Sequence, residues 1–191
     1  MNIREIIEEL ETKRKMFHLF ALLLWLLPLY LLPFWLVFFL FTLVLLLNLL
    51  TLLRVGNHRL GLYYRLVYGL ERERNYSRPG IQALWANLGL FMSFIVFGRE
   101  PAMVAVVVLA VGDAFASVVG IRYGRRRIGN RSLEGTFAFF LSTFLVLLPF
   151  LGFWKAFLVC FFSALVELIP LRLDDNFTVP LTAGFVYHLL T

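Results

Sequence analysis

Apolar positions in this chain gather into long, nearly unbroken runs, and short polar stretches rich in arginine separate them. The period-2 alternation over ten-residue segments that a membrane β-barrel needs is absent. A spanning helix needs about 20 mostly apolar residues. Seven candidates follow one another: Met16–Leu32, Phe34–Leu53, Ile81–Phe97, Pro101–Ile121, Gly135–Leu151, Phe153–Ile169 and the shorter Phe177–Leu190. Pro33 separates the first two. The pattern predicts an all-α integral membrane protein of about seven transmembrane helices, one domain over residues 1–191, with no internal repeat or low-complexity linker.

The polar stretches refine that picture. Residues 1–15 mix Glu5, Glu8, Glu9 and Glu11 with Arg4, Lys13, Arg14 and Lys15. A cleavable signal has a basic start and a short apolar core ending in small residues, and this segment has neither. A short amphipathic helix on the membrane surface, Ile3 to Lys15, is expected instead. Residues 54–80 form the longest polar stretch, with Tyr63, Leu66, Val67 and Leu70 at helical spacing. They read as an amphipathic cytoplasmic loop in the interface plane, its arginines toward lipid phosphates. Residues 122–134 make a third loop, dominated by arginine and glycine.

Charge then sets an orientation. With seven spans, the N-terminal tail and the even-numbered loops hold 16 of the 18 Lys and Arg residues, leaving Arg99 and Lys155 on the other side. The positive-inside rule places the N-terminus in the cytoplasm and the C-terminus outside. Composition agrees: the chain is 61% hydrophobic and 16% charged, against roughly 25% charged in an ordinary soluble domain. A single cysteine, Cys160, excludes a disulfide scaffold, and its apolar helix makes it a buried small hydrophobe.

Some residues are not explained by membrane insertion. Asp113 sits eight residues before the cytoplasmic end of the fourth span, about 12 Å deep. An ionisable group there is costly and points to function. Gly112, Ala116 and Gly120 form a small-residue stripe that lets a helix or a ligand approach, and Asp113, Ser117 and Gly120 share the neighbouring face. The simpler reading is a packing stripe with one aspartate paired to an arginine. The five arginines of the 122–134 loop, interspersed with glycines, suit phosphate oxygens. Ser132 is a candidate N-cap for the fifth span, whose free N–H groups would add to an anion site. The simpler reading is a topology-setting loop or one that binds anionic lipid.

A third motif surrounds Pro170, which stops the sixth helix. Glu167 precedes it, and Asp174, Asp175 and Asn176 form an acidic turn after it. Two carboxylates and an amide oxygen suit Mg²⁺, which commonly takes one or two carboxylates plus substrate phosphates. The seventh span has only 14 residues, about 21 Å of helix, so the turn is expected in a recess. The simpler reading makes Asp175 or Asn176 a cap of the last helix. Together, Asp113, Glu167, Asp174 and Asp175 fall on the arginine-rich side as metal or catalytic carboxylates. Carboxylates for a divalent metal and arginines for phosphate, in a lipid phase, point to phosphoryl or nucleotidyl transfer onto a lipid head group.

Lys13-Arg14-Lys15-x-x-His18, Gly112-Asp113-Ala114-x-Ala116-Ser117-x-x-Gly120, Ser132-x-Glu134-Gly135-Thr136 and Glu167-x-x-Pro170 with Asp174-Asp175-Asn176 resemble the polyprenol kinase family. That family contains the dolichol kinases, phytol kinases and CTP-dependent diacylglycerol kinases, and is related to the phosphatidate cytidylyltransferases. The resemblance runs from Lys13 to near the C-terminus, and four motifs in order are fairly specific. It implies a multi-pass membrane kinase that phosphorylates a lipid alcohol at the cytoplasmic face, with CTP as donor and Mg²⁺ as cofactor. Asp113, Asp174 and Asp175 would then be metal or catalytic carboxylates. Lys13, Arg14, Arg122, Arg125 and Ser132 would contact nucleotide phosphates, with His18 nearby and Ser117, Gly120, Glu134, Gly135 and Asn176 completing the nucleotide site. The additional spans of dolichol kinases are absent, so the size is closer to the phytol kinase type. No nucleic-acid or protein partner is implied.

Two other readings stay open. A cytidylyltransferase making a CDP-activated lipid would use much the same site. A transporter would line its pathway with the intramembrane acids, although the first three spans carry no acids there and no paired inverted repeats are evident.

Overall fold

The computed structural model of the protein describes residues 3–55, 77–129 and 131–191. The apolar runs become helices: α1 (Ile3–Leu23), α2 (Leu26–Leu31), α3 (Phe34–Leu52), α4 (Ile81–Phe97), α5 (Arg99–Tyr123), α6 (Leu133–Leu151), α7 (Phe153–Leu168) and α8 (Asp175–Leu189). The only strands among the described residues are β1 (Arg127–Ile128) and β2 (Arg131–Ser132), paired antiparallel between α5 and α6. Four stretches are long and apolar enough to cross a membrane: Glu9–Leu31, Phe34–Leu52, Arg99–Tyr123 and Leu133–Leu151. The other three expected spans are shorter helices, of 17, 16 and 15 residues for α4, α7 and α8. Most of the amphipathic loop expected at 54–80 lies outside the described residues.

Two expectations at the N-terminal end change. The surface helix expected to stop at Lys15 is continuous with the first apolar run, because no proline or glycine interrupts Ile3–Leu23. At Lys15 the helix meets the bundle through Asp113. The predicted Met16–Leu32 span is itself broken at Leu24 and Trp25. Pro28 accounts for the break: it has no N–H to donate to the Leu24 carbonyl, and its ring crowds that carbonyl.

Helix α2 continues α1, and from there on consecutive helices reverse direction. Gly98 (φ 98°) and Gly152 (φ 75°) sit between helices at backbone angles that side-chain-bearing residues rarely adopt, and they allow immediate reversals. At one end of the bundle the Arg99 guanidinium donates to the Leu32 carbonyl (2.7 Å). Toward the other end, Lys15 of α1 meets Asp113 of α5, and Ser132 at the start of α6 lies beside Gly120. α4 and α8 run side by side in the same sense, with Trp85 against Phe177 at their starts and Phe97 against His188 at their ends.

Helix α5 is the buried axis, with Ala102, Ala105, Val106, Val108, Leu109 and Ala110 at most 2% exposed. The small-residue stripe receives a helix: the Phe139 ring lies over Gly112, and Gly135 of α6 packs on Gly120. The same economy joins α4 to α8. A methyl group on Gly89 would stand 2.7 Å from the Pro180 ring and 2.8 Å from the Phe177 carbonyl oxygen, a backbone atom that cannot swing away. Gly89→Ala is therefore expected to cost about 1–3 kcal/mol of stability, read as an earlier thermal unfolding transition in detergent.

The outside is apolar. Tyr30, Trp35, Phe150 and Trp154 are 66–80% exposed around the Leu32/Arg99 end, where they resemble the aromatic belt of a membrane–water interface. Exposed leucines and phenylalanines cover the flanks of α3 and α6, far more apolar surface than a soluble monomer carries.

Candidate active site

At the opposite end from those aromatics, a polar cavity of about 480 Å³ opens between α1, α4, α5, α6, α7 and α8. Helix α5 presents Asp113, Ser117 and Gly120 to it, at i, i+4 and i+7 on one face. Lys15 reaches across from α1, and its Nζ donates to Asp113 Oδ2 at 2.5 Å. Both side chains are only 13% exposed.

The β1–β2 hairpin delivers the next group. Register pairs Arg127 with Ser132 and Ile128 with Arg131, which sets Arg131 immediately before the start of α6. Arg131 ties two further helices to this point: Nε lies 3.3 Å from Glu167 Oε1 near the end of α7, and the guanidinium also pairs with Asp175 at the start of α8. Thr136, in the first turn of α6, donates its hydroxyl to the other Glu167 oxygen (2.8 Å). Glu167 is thus buried with both oxygens occupied.

The helix starts behave as capping rules require. Ser132 caps α6, its Oγ accepting from the Gly135 N–H at 3.1 Å, as expected from sequence. At α8 the cap is Asp174, whose Oδ1 accepts from the Asn176 N–H (3.0 Å) and amide Nδ2 (2.8 Å). The simpler reading that gave this role to Asp175 or Asn176 is corrected to the residue just before them. Asp174 leads because its backbone is extended (φ −67°, ψ 136°), the conformation of a residue just outside a helix.

Of the residues expected from sequence, Asp113, Ser117, Gly120, Ser132, Gly135, Glu167, Asp174, Asp175 and Asn176 all line this cavity. Lys13 and Arg122 line an adjoining cavity of about 460 Å³ that shares Lys15 and Ser117 with the first. Lys13 pairs with Glu9 (2.7 Å) and Arg14 with Glu11, both along α1. Glu134 turns its carboxylate to the backbone N–H groups of Arg125 (3.1 Å) and Arg126 (3.3 Å), so it pins the arginine loop. Arg125 lines neither cavity. His18, one turn beyond Lys15, lines an apolar groove next door.

Two polar lining residues had no assigned role, Lys15 and Gln82, while Arg127 and Arg131 had been read only among the five arginines of the phosphate-binding loop. Lys15 carried a usable signal, since it precedes His18 by three residues and shares its helix face. The arginines did not, because five of them in one loop look alike until the hairpin selects which ones face inward.

The donor set is hard oxygen throughout. Among the described residues, no three acidic, histidine or cysteine side chains converge into a ready-made metal group. Asp113, Glu167 and Asp175 hold ion pairs with Lys15 or Arg131 instead. Such a site fits Mg²⁺ in company with phosphates, where one or two carboxylates complete the coordination. Phosphate oxygens would equally satisfy Lys15, Arg127 and Arg131. A largely buried carboxylate can accept a proton from a hydroxyl, and the basic groups beside it can hold phosphate oxygens.

Neither a family model nor a solved structure matches the chain. Curated proteins do. It is 31% identical to the probable phytol kinase 1, chloroplastic, of Oryza sativa subsp. japonica, across 100% of this chain and 67% of that protein. It is 36% identical to the dolichol kinase of Schizosaccharomyces pombe over 46% of this chain and 19% of that kinase. An uncharacterized protein of Methanocaldococcus jannaschii is 35% identical, with 59% of this chain and 60% of that protein aligned.

Proposed function

Because the chain belongs to the polyprenol kinase family, we propose that it transfers the γ-phosphoryl group of CTP to the hydroxyl of a membrane prenol such as phytol, geranylgeraniol or a polyprenol. The observation that carries the reading is the meeting of Asp113, Glu167, Asp174 and Asp175 with Lys15, Arg127 and Arg131 in one cavity. In this reading seven helices cross the membrane and the cavity faces the cytoplasm. Its support is the sequence asymmetry of basic residues and the aromatic belt at the far end.

The chemistry follows from the groups present. Asp113 accepts the proton of the lipid hydroxyl as the new O–P bond forms and the P–O bond to the departing CDP breaks. Lys15 moves from Asp113 to the donor's phosphates, which frees the carboxylate to act as base. Arg131 and Arg127 hold the same phosphates and offset the charge that builds on the leaving oxygen. Mg²⁺, held by Asp174 and Asp175 with Asn176 beside them, would neutralise phosphate charge. Glu167 keeps Arg131 aimed.

The test uses purified protein in lipid nanodiscs, with CTP labelled at either the α or the γ phosphorus. Geranylgeraniol, phytol, farnesol and diacylglycerol serve as acceptors, and the other three NTPs as competing donors. The expected result is γ label on a prenol, CDP release, and loss of activity with EDTA. Transfer of α label with pyrophosphate release would make the protein a cytidylyltransferase and sink the kinase reading.

A further inference from the structure

An apolar groove of about 650 Å³ runs along α1 and α2 against α3 and α4, and its position relative to the polar cavity is the informative feature. The two share elements at adjacent residues. Lys15 lines the cavity and His18, one turn on, lines the groove; Gln82 lines the cavity and Ala83, the next residue, lines the groove. His18 also lies close enough to Asp113 and Lys15 for their charges to act on it. Beyond His18 the groove has no charged lining residue. Three small residues, Ala21, Ala83 and Ala86, line it together with Trp25. Trp25 is held in place: its indole N–H donates to Asn87 Oδ1 (2.9 Å), and its ring stacks on Phe41 at 3.8 Å.

We propose that this groove holds the isoprenoid tail of the acceptor and delivers its hydroxyl past His18 to Asp113. The inference rests on the prenol-kinase reading and adds the tail subsite and the residues that set acceptor selectivity. From His18 to Leu32 the groove follows about 20 Å of helix. A prenol of four isoprene units, extended at about 1.5 Å per bond in zigzag, is about 20 Å long. Lipid tails are as apolar as leucine, so leaving the bilayer for the groove supplies little hydrophobic driving force. The groove acts through shape: three alanines beside a fixed tryptophan accept one slender chain and point its polar end at the carboxylate.

Ala21 is exposed to the groove one turn below His18, so Ala21→Phe fills the channel without displacing core. The expected result is a rise in KM for geranylgeraniol on the order of tenfold or more by steric exclusion, with dimethylallyl alcohol, one isoprene unit long, unaffected. Leu145→Phe, on the outer flank of α6, should behave as wild type. A geranylgeraniol analogue carrying a mid-chain diazirine is expected to label α1–α2 and the start of α4, and unlabelled geranylgeraniol should compete. Unchanged geranylgeraniol kinetics in Ala21→Phe, or label elsewhere or unaffected by competition as for a bulk bilayer lipid, overturns the groove assignment. It leaves the kinase reading standing if γ label still reaches the prenol. Competed labelling of the groove without phosphoryl transfer from any NTP keeps the groove and rejects the kinase.

Discussion

Asp113→Asn is expected to lower kcat for prenol phosphorylation by about 10²–10⁴-fold, the range assigned to a positioned general base. The substitution keeps size and shape but removes the carboxylate that pairs with Lys15 in the polar cavity. KM for the donor should change little, because Lys15, Arg127 and Arg131 remain. Lys15 loses its 2.5 Å partner, and with both side chains 13% exposed some stability is lost too. Adding Lys15→Met to Asp113→Asn separates the effects. The double variant should regain thermal stability relative to Asp113→Asn alone, because the orphaned charge is gone, and it should not regain turnover. A kcat within about fivefold of wild type in Asp113→Asn, well short of the loss expected for a base, would remove Asp113 from the chemistry.

Arg131→Met has the second large effect, and it should appear in two measurements at once. The guanidinium bridges the β1–β2 hairpin to both Glu167 on α7 and Asp175 on α8. Methionine preserves the stem and deletes the charge. Removing one member of a fully buried ion pair costs several kcal/mol. The 32% exposure of Arg131 reduces this to about 1–3 kcal/mol. For a chain of this length about 1 kcal/mol corresponds to roughly 2–4 °C, so the melting transition in detergent should fall by several degrees. Activity should fall with it through a higher donor KM, since the fork proposed to clamp phosphate is gone. Arg131→Lys distinguishes charge from geometry: it should recover part of the stability and little of the donor affinity. A normal melting transition with normal donor KM would show that the bridge is incidental.

How much of the fold and the site was readable beforehand depends on the range of each interaction. The apolar runs from Phe34 onward become helices within a few residues, because their boundaries are local: Pro33, Gly98 and Gly152 terminate or reverse the chain by their own backbone chemistry. Ser132 was legible as a cap for the same reason. At Trp25 the pattern misled, since Pro28 is apolar and hides inside a hydrophobic run while it interrupts the helix. The pairing of Lys15 was not local at all: its spacing from His18 marks a shared helix face, but nothing in Lys13-Arg14-Lys15 says which of the three meets a carboxylate on α5. The choice among Arg122, Arg125, Arg127 and Arg131 likewise depended on a two-residue hairpin pairing with too few positions to leave a pattern.

The cavity draws Lys15 from the first helix and Asp174 and Asp175 from the start of α8. That separation bears on biosynthesis. As helices leave the ribosome and enter the bilayer in order, Lys15 and Asp113 can meet once α5 is in place and Arg131 and Glu167 once α7 is, while Asp175 arrives only with α8. The last of these helices to insert completes the site, so a nascent chain stays inert until its assembly in the membrane is finished.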